Sequence, residues 1–129
     1  MPTITRLKDI KKPKRVPYKQ YSLTKYYNSS VWRSMSLEHR IEYPLDELEL
    51  LEEHTVAAKE VHHIVPFSSG SNDREMWYLL TNTDNLISLS RHTHELVHHH
   101  IDQLTTKQQQ YLAAKRQKVN EQLLIDLYT

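Results

Sequence analysis

A pair of adjacent histidines, followed about thirty residues later by histidines four apart, restricts how this chain can fold. The pair is His62-His63, within Glu60-Val61-His62-His63-Ile64. The later group is His92, His94, His98, His99 and His100, so seven of the nine histidines fall in two short stretches. Neighbouring side chains on a strand face opposite ways, whereas residues four apart on a helix lie one above the other. A strand at the pair can therefore offer one imidazole to a given point, and a helix at the second group can offer two. With no cysteine in the chain, disulfides and thiolate metal sites are excluded, and imidazole is left as the natural metal ligand.

The rest of the sequence supplies elements to carry these groups. Gly70 is the single glycine and the mean hydropathy is −0.71, which indicates a polar, helix-rich chain with few tight turns. Its length suits one domain with a modest core. Residues 1–20, with Pro2, Pro13 and Pro17 among lysines, read as a basic, flexible arm, and 21–129 as a single domain. Asn28 or Ser29 can cap a helix through Val31, Trp32, Met35 and His39, which Pro44 ends. Residues 45–54 suit a short acidic helix with Leu45, Leu48, Leu51 and Leu50 inward.

Residues 59–65 read as a strand, with His62 and Ile64 on one face and Val61 and His63 on the other. Residues 67–83 read as a long irregular loop, tucked onto the core by Met76, Trp77, Tyr78 and Leu79. Leu86–Leu89 form a second strand. Ser90 caps a helix that bears His94 and His98 and packs through Leu96, Val97 and Ile101. Thr105 or Thr106 starts a last helix carrying Leu112, Val119, Leu123 and Leu127. The expectation is an α+β chain, mainly helical, whose core at about 58–103 is a hairpin backed by a helix.

Charge is divided along the chain. Residues 1–37 hold nine Lys or Arg and one acid, for +8; residues 38–60 hold eight acids against two bases, for −6. A basic arm beside an acidic segment is a common layout in polyanion binders, and equally that of a solvated tail. No run approaches the ~20 apolar residues of a membrane span, and no apolar stretch follows the N-terminal bases as in a secretory signal. The expected location is cytoplasmic, with no membrane partner.

Folded as a hairpin backed by a helix, the chain brings His62, His94 and His98 toward one point. Three imidazoles can hold a divalent ion and leave positions open for water or phosphate. His63 faces the other way, free to act as a base near neutral pH. Asn85, in the lead-in to the second strand, can hydrogen-bond the His63 loop or ring and fix its orientation.

This order of residues resembles the HNH endonucleases, the ββα-metal nucleases. The matching stretches are Ala58-Lys59-Glu60-Val61-His62-His63-Ile64-Val65-Pro66, Asn85-Leu86-Ile87-Ser88-Leu89 and His94-Glu95-Leu96-Val97-His98. The upstream Tyr27-Asn28-Ser29-Ser30-Val31-Trp32-Arg33 looks like the lead-in of HNH proteins from tailed phages and prophages. The resemblance spans roughly 25–100. It implies His63 as general base, Asn85 as its orienter, and His62, His94 and His98 as metal ligands. The implied reaction is hydrolysis of DNA phosphodiesters, as an endonuclease or nickase on double-stranded DNA. The lead-in implies a place in phage DNA packaging, beside terminase or portal proteins.

Many such phage proteins carry two Cys-xx-Cys pairs for a structural zinc. Here those positions are Asp46, Glu49, Ser90 and Thr93, so no structural zinc is expected. The catalytic ion is open among zinc, nickel, cobalt, manganese and magnesium. Lys25, Arg33 and Arg91 are candidate DNA contacts, against the plainer reading of solvated charges. His39 and His54 read as ordinary surface histidines, His99 and His100 as solvated, and His92 as either solvated or a DNA contact. The alternatives are a noncatalytic DNA-binding accessory that keeps this fold, and an interaction module with a purely structural metal.

Overall fold

The computed structural model describes residues 7–11 and 23–129. Most of the basic stretch at 1–20, with Pro2, Pro13 and Pro17, lies outside the described residues, as does Tyr21. Within it, Leu7–Asp9 make one 3₁₀ turn that touches the last helix. The described chain is α+β and mainly helical, with one two-stranded antiparallel sheet among the described residues. Helix α1 spans Leu23–Tyr27 and α2 spans Ser30–Glu42. Ser29 caps α2 by accepting from Trp32 N, and Pro44 follows its end. Helix α3 (Glu47–Leu51) starts at Asp46, whose Oδ1 accepts from Leu48 N and Glu49 N, both at 2.9 Å. Leu48 is fully buried there, but Leu50 faces outward because it lies on the opposite side of that single turn.

Strand β1 (Glu60–His63) pairs with β2 (Leu86–Leu89), with Glu60 opposite Leu89 and His63 opposite Leu86. Alternation puts Glu60, His62, Ile87 and Leu89 on one face, and Val61, His63, Leu86 and Ser88 on the other. Helices pack on the sheet, among them α2 and α5 (Arg91–His99). Helix α6 (Thr106–Tyr128) opens with a capping box between Thr105 and Gln108. At ~1.5 Å per residue it is roughly 34 Å long, enough to serve both parts of the core. Leu112 packs with Leu48, Ile64, Ile87, Leu89 and Leu104, while Val119 and Leu123 pack with Tyr26, Val65, Phe67, Met76, Leu79 and Leu80.

Three expectations are corrected. The stretch 67–83 is not an irregular loop: α4 occupies Asp73–Thr81. Asn72 caps it through Glu75 N, Asp73 and Glu75 favour its first turn, and Met76, Leu79 and Leu80 form a buried stripe. The single glycine precedes this helix because a Cβ at Gly70 would lie 2.9 Å from Met76 N. Ile101 lies beyond α5, which ends at His99, and is exposed instead of buried on the packing side. His39 is not a surface residue. It sits one turn beyond Met35 on the sheet-facing side of α2, buried, with Nε2 2.9 Å from Glu47 Oε2.

Asp46 joins α3 to α5. It is fully buried, and its second oxygen accepts from Ser90 N at 2.8 Å and from the Thr93 hydroxyl. Ser90 in turn caps α5, with its Oγ 3.2 Å from Thr93 Oγ1. Positions 46, 49, 90 and 93 thus all meet in one hydrogen-bonded knot around the Asp46 carboxylate.

Candidate metal centre

His62 comes from the middle of β1, and His94 and His98 from one face of α5, one turn apart. One ring nitrogen from each lies within 4.8 Å of the other two. The ring centroids are 5.1 Å apart for His62–His94, 4.8 Å for His62–His98 and 4.5 Å for His94–His98. The Nε2 atoms of His94 and His98 are 2.9 Å apart. Zinc–nitrogen bonds of ~2.0–2.1 Å in a tetrahedron put ligand atoms roughly 3.3 Å apart. The widest of these contacts must therefore close by about 1.5 Å, and the narrowest open slightly, which side-chain rotation supplies. The donor set fits a divalent ion of the zinc, cobalt, nickel or manganese type.

Glu60 is a member of this cluster that sequence reasoning did not single out. Its buried Oε2 contacts Nδ1 of His94. A carboxylate only accepts, so this placement favours a proton on His94 Nδ1 and a lone pair on Nε2 facing His98 and His62. With that tautomer His98 Nε2–H donates to His94 Nε2. Binding an ion through both Nε2 atoms requires the His98 proton to move to its Nδ1. Burial, followed by the neighbouring rings of His98, His94 and His63 and then Arg116, pushes His62 down to about 3. Burial, then His94 and His99, also lowers His98. Both rings are thereby held in the neutral form a metal needs. Arg116, on the exposed side of α6, is a second group that sequence reasoning did not single out.

His63 is buried on the opposite sheet face. Trp32 stacks against it with centroids 4.5 Å apart, and Phe67 meets it edge-on at 5.4 Å. Its Nε2 lies 3.2 Å from the carbonyl oxygen of Leu80. A carbonyl only accepts, so Nε2 holds the proton and Nδ1 the lone pair. Burial pushes this ring down to about 4, against the opposing effect of the Leu80 hydrogen bond. Although their strand faces differ, His62, His63, His94 and His98 line one cleft of about 220 Å³, with Trp32 and Tyr27 among its other walls.

Asn85 is fully buried and does not touch the His63 ring; it bonds the loop. Its Oδ1 accepts from Val65 N at 2.7 Å, and its Nδ2 donates to Val65 O and Leu79 O, both at 2.9 Å. Its backbone carbonyl accepts from Ile64 N at 2.8 Å. Asn85 thus fastens the exit of β1 to the end of α4, beside the Leu80 carbonyl that orients His63.

The candidate DNA contacts are spread around the outside. Lys25 is exposed and pairs with Asp73 at 3.3 Å. Arg33 is exposed and donates to Asn28 O at 2.7 Å. Arg91 is exposed in the first turn of α5. His92, His99 and His100 are exposed, and His54 pairs with Glu49 at the surface. No described helix is long and apolar enough to cross a membrane. Comparison with protein-family models, with curated proteins and with solved structures gives no match.

Proposed function

We propose that this chain is a metal-dependent DNA endonuclease or nickase with a ββα-metal site, formed by β1, β2 and α5. The observation that carries the reading is the convergence of His62, His94 and His98 beside a fourth imidazole, His63, whose tautomer is fixed. His63 takes the proton of a water on Nδ1. The oxygen of that water attacks phosphorus, the bond to the 3′-oxygen breaks, and that oxygen leaves to be protonated by solvent. The products carry 5′-phosphate and 3′-hydroxyl ends. A divalent ion held by His62, His94 and His98 supplies, when bound, positive charge beside the scissile phosphate. A base works best with a pKa near the working pH, and the anionic phosphodiester in the cleft raises that of His63 toward it. Glu60 and Asn85 hold the two imidazole sets in place. Lys25, Arg33 and Arg91 are exposed candidates for the DNA backbone, Lys25 and Arg33 by exchanging Asp73 and Asn28 O for phosphate. A place in phage packaging, beside terminase or portal, rests on the resemblance of residues 27–33 alone.

Supercoiled plasmid tests this directly, with each of zinc, nickel, cobalt, manganese and magnesium in turn. The wild type should nick or cut, and chelator should stop it. His63→Ala should lose at least about 100-fold in rate, the low end for a general base, while still binding metal in a calorimetric titration. A His63→Ala protein as active as wild type defeats the mechanism. Salt-sensitive DNA binding without cleavage under any metal transfers the reading to the noncatalytic accessory.

A further inference from the structure

The cleft at the metal centre has two unlike walls. One is the imidazole set; the other is Leu23, Tyr27, Trp32, Val61, Pro66, Phe67 and Ser68, apolar over most of its area. Phosphate and sugar oxygens lose water against such a surface without gaining partners. The part of the flanking nucleotide that suits it is the nucleobase, which has an apolar π-face. Trp32 stacks on His63, and Phe67 lies roughly perpendicular to both His63 and Tyr27. Tyr27 is 50% exposed and has ring surface left to offer. Lys25 and Arg33, close to it in sequence and exposed, suit the backbone of a strand passing that ring. A base inside intact duplex is stacked on both sides and presents only its edges in the grooves, so its face cannot meet the Tyr27 ring.

We propose that Tyr27 is a stacking platform for an unpaired nucleobase beside the scissile phosphate, and that the protein prefers single-stranded or locally unpaired DNA to perfect duplex. This rests on the nuclease reading above. Stacking on an aromatic side chain is tolerant of base identity, so the preference is for strand state rather than sequence.

The test compares one sequence as single strand, as duplex with a central bulge and as perfect duplex, cut by the full chain with manganese. Single strand and bulge should show kcat/KM at least tenfold above perfect duplex. Tyr27→Ala should raise KM on both favoured substrates about tenfold, or about 1.4 kcal/mol, at the low end for base–aromatic stacking. Its kcat and metal affinity should stay near wild type. Tyr27→Phe should behave as wild type. Tyr27→Leu, which keeps apolar volume against Phe67 without the ring face, should behave as Tyr27→Ala. Perfect duplex cut as fast as single strand, or a KM unmoved in Tyr27→Ala and Tyr27→Leu, overturns this inference and leaves the nuclease standing. No cleavage of any of the three while metal still binds overturns both.

Discussion

Removing the Asp46 carboxylate should loosen the domain and the metal centre together. Its four hydrogen bonds run to Leu48 N, Glu49 N, Ser90 N and the Thr93 hydroxyl, from a fully buried position. Loss of the α3 cap costs ~1 kcal/mol. Ser90 N is left buried without its acceptor, at ~1–3 kcal/mol, and the Thr93 hydroxyl loses a bond to a charged group, at ~1.5–3 kcal/mol, keeping only Ser90 O and Oγ. Relief of the buried charge offsets part of that. Asp46→Ala should therefore lose about 3–5 kcal/mol, a large share of the ~5–15 kcal/mol of a typical domain. Asp46→Asn keeps one oxygen for the α3 cap but turns an NH₂ toward Ser90 N–H, so it should lose roughly 1–3 kcal/mol. Urea unfolding at pH 7 reads both. Because α5 starts beside this knot and His94 follows one turn in, zinc affinity should fall in parallel. A loss under about 1 kcal/mol in Asp46→Ala, or an Asn variant no better than Ala, would refute the reasoning.

Other outcomes are also expected. Glu60→Ala should weaken metal binding about 10- to 100-fold by freeing the His94 ring, as read by calorimetric titration; unchanged affinity would remove Glu60 from the site. Acid should destabilise the metal-free protein through His62 and His63. Both are depressed in the folded state, to about 3 and about 4, from 6.5. Their stabilisation is therefore complete above pH 6.5 and is lost as pH falls through the folded values. At pH 5 His63 alone should cost about 2 kcal/mol relative to neutral pH, and a flat unfolding free energy between pH 7 and 5, with chelator present, would contradict this. Asn85→Ala strips the acceptor from Val65 N and the donor from two buried carbonyls, so about 2–4 kcal/mol of stability should go. Activity should fall further than metal affinity, because His63 loses its anchor before His62 does. Equal losses in the two would count against that role.

Most of the fold was legible where a cap and a period coincide. Ser29, Ser90 and Thr105 each precede a helix whose apolar residues recur at the right interval, and those three helices stand where the sequence placed them. The helix α4 was obscured because its cap, Asn72, sits in a run of Ser, Gly and Asn that reads as loop. The signal was present in Asp73 and Glu75 followed by Met76, Leu79 and Leu80. His39 was misread because nothing local marks it for burial; its partner, Glu47, belongs to another helix. The imidazole triad was legible from spacing alone. Glu60 was not, because an acid at the start of a strand reads as solvated, and only the packing of α5 on that strand sets it under His94. The Leu80 carbonyl could not be found from sequence, since every residue has one.

The adjacent histidines explain why so much of the structure is spent on fixing register. A slip of one residue along β1 would exchange His62 and His63, offering the stacked ring to the metal side and the ligand to Trp32. A four-residue strand paired on one edge has little register preference of its own. Lys59 N donates to Leu89 O at one end of the pair and Ile64 N to Asn85 O at the other. The Asn85 amide then clasps both backbone polar groups of Val65 while its Nδ2 also donates to Leu79 O, three bonds that a slip would have to break. Asn85 thus acts one step before orientation. By choosing the register, it chooses which imidazole faces α5 and which is left with Nε2 on Leu80 and a lone pair in the cleft.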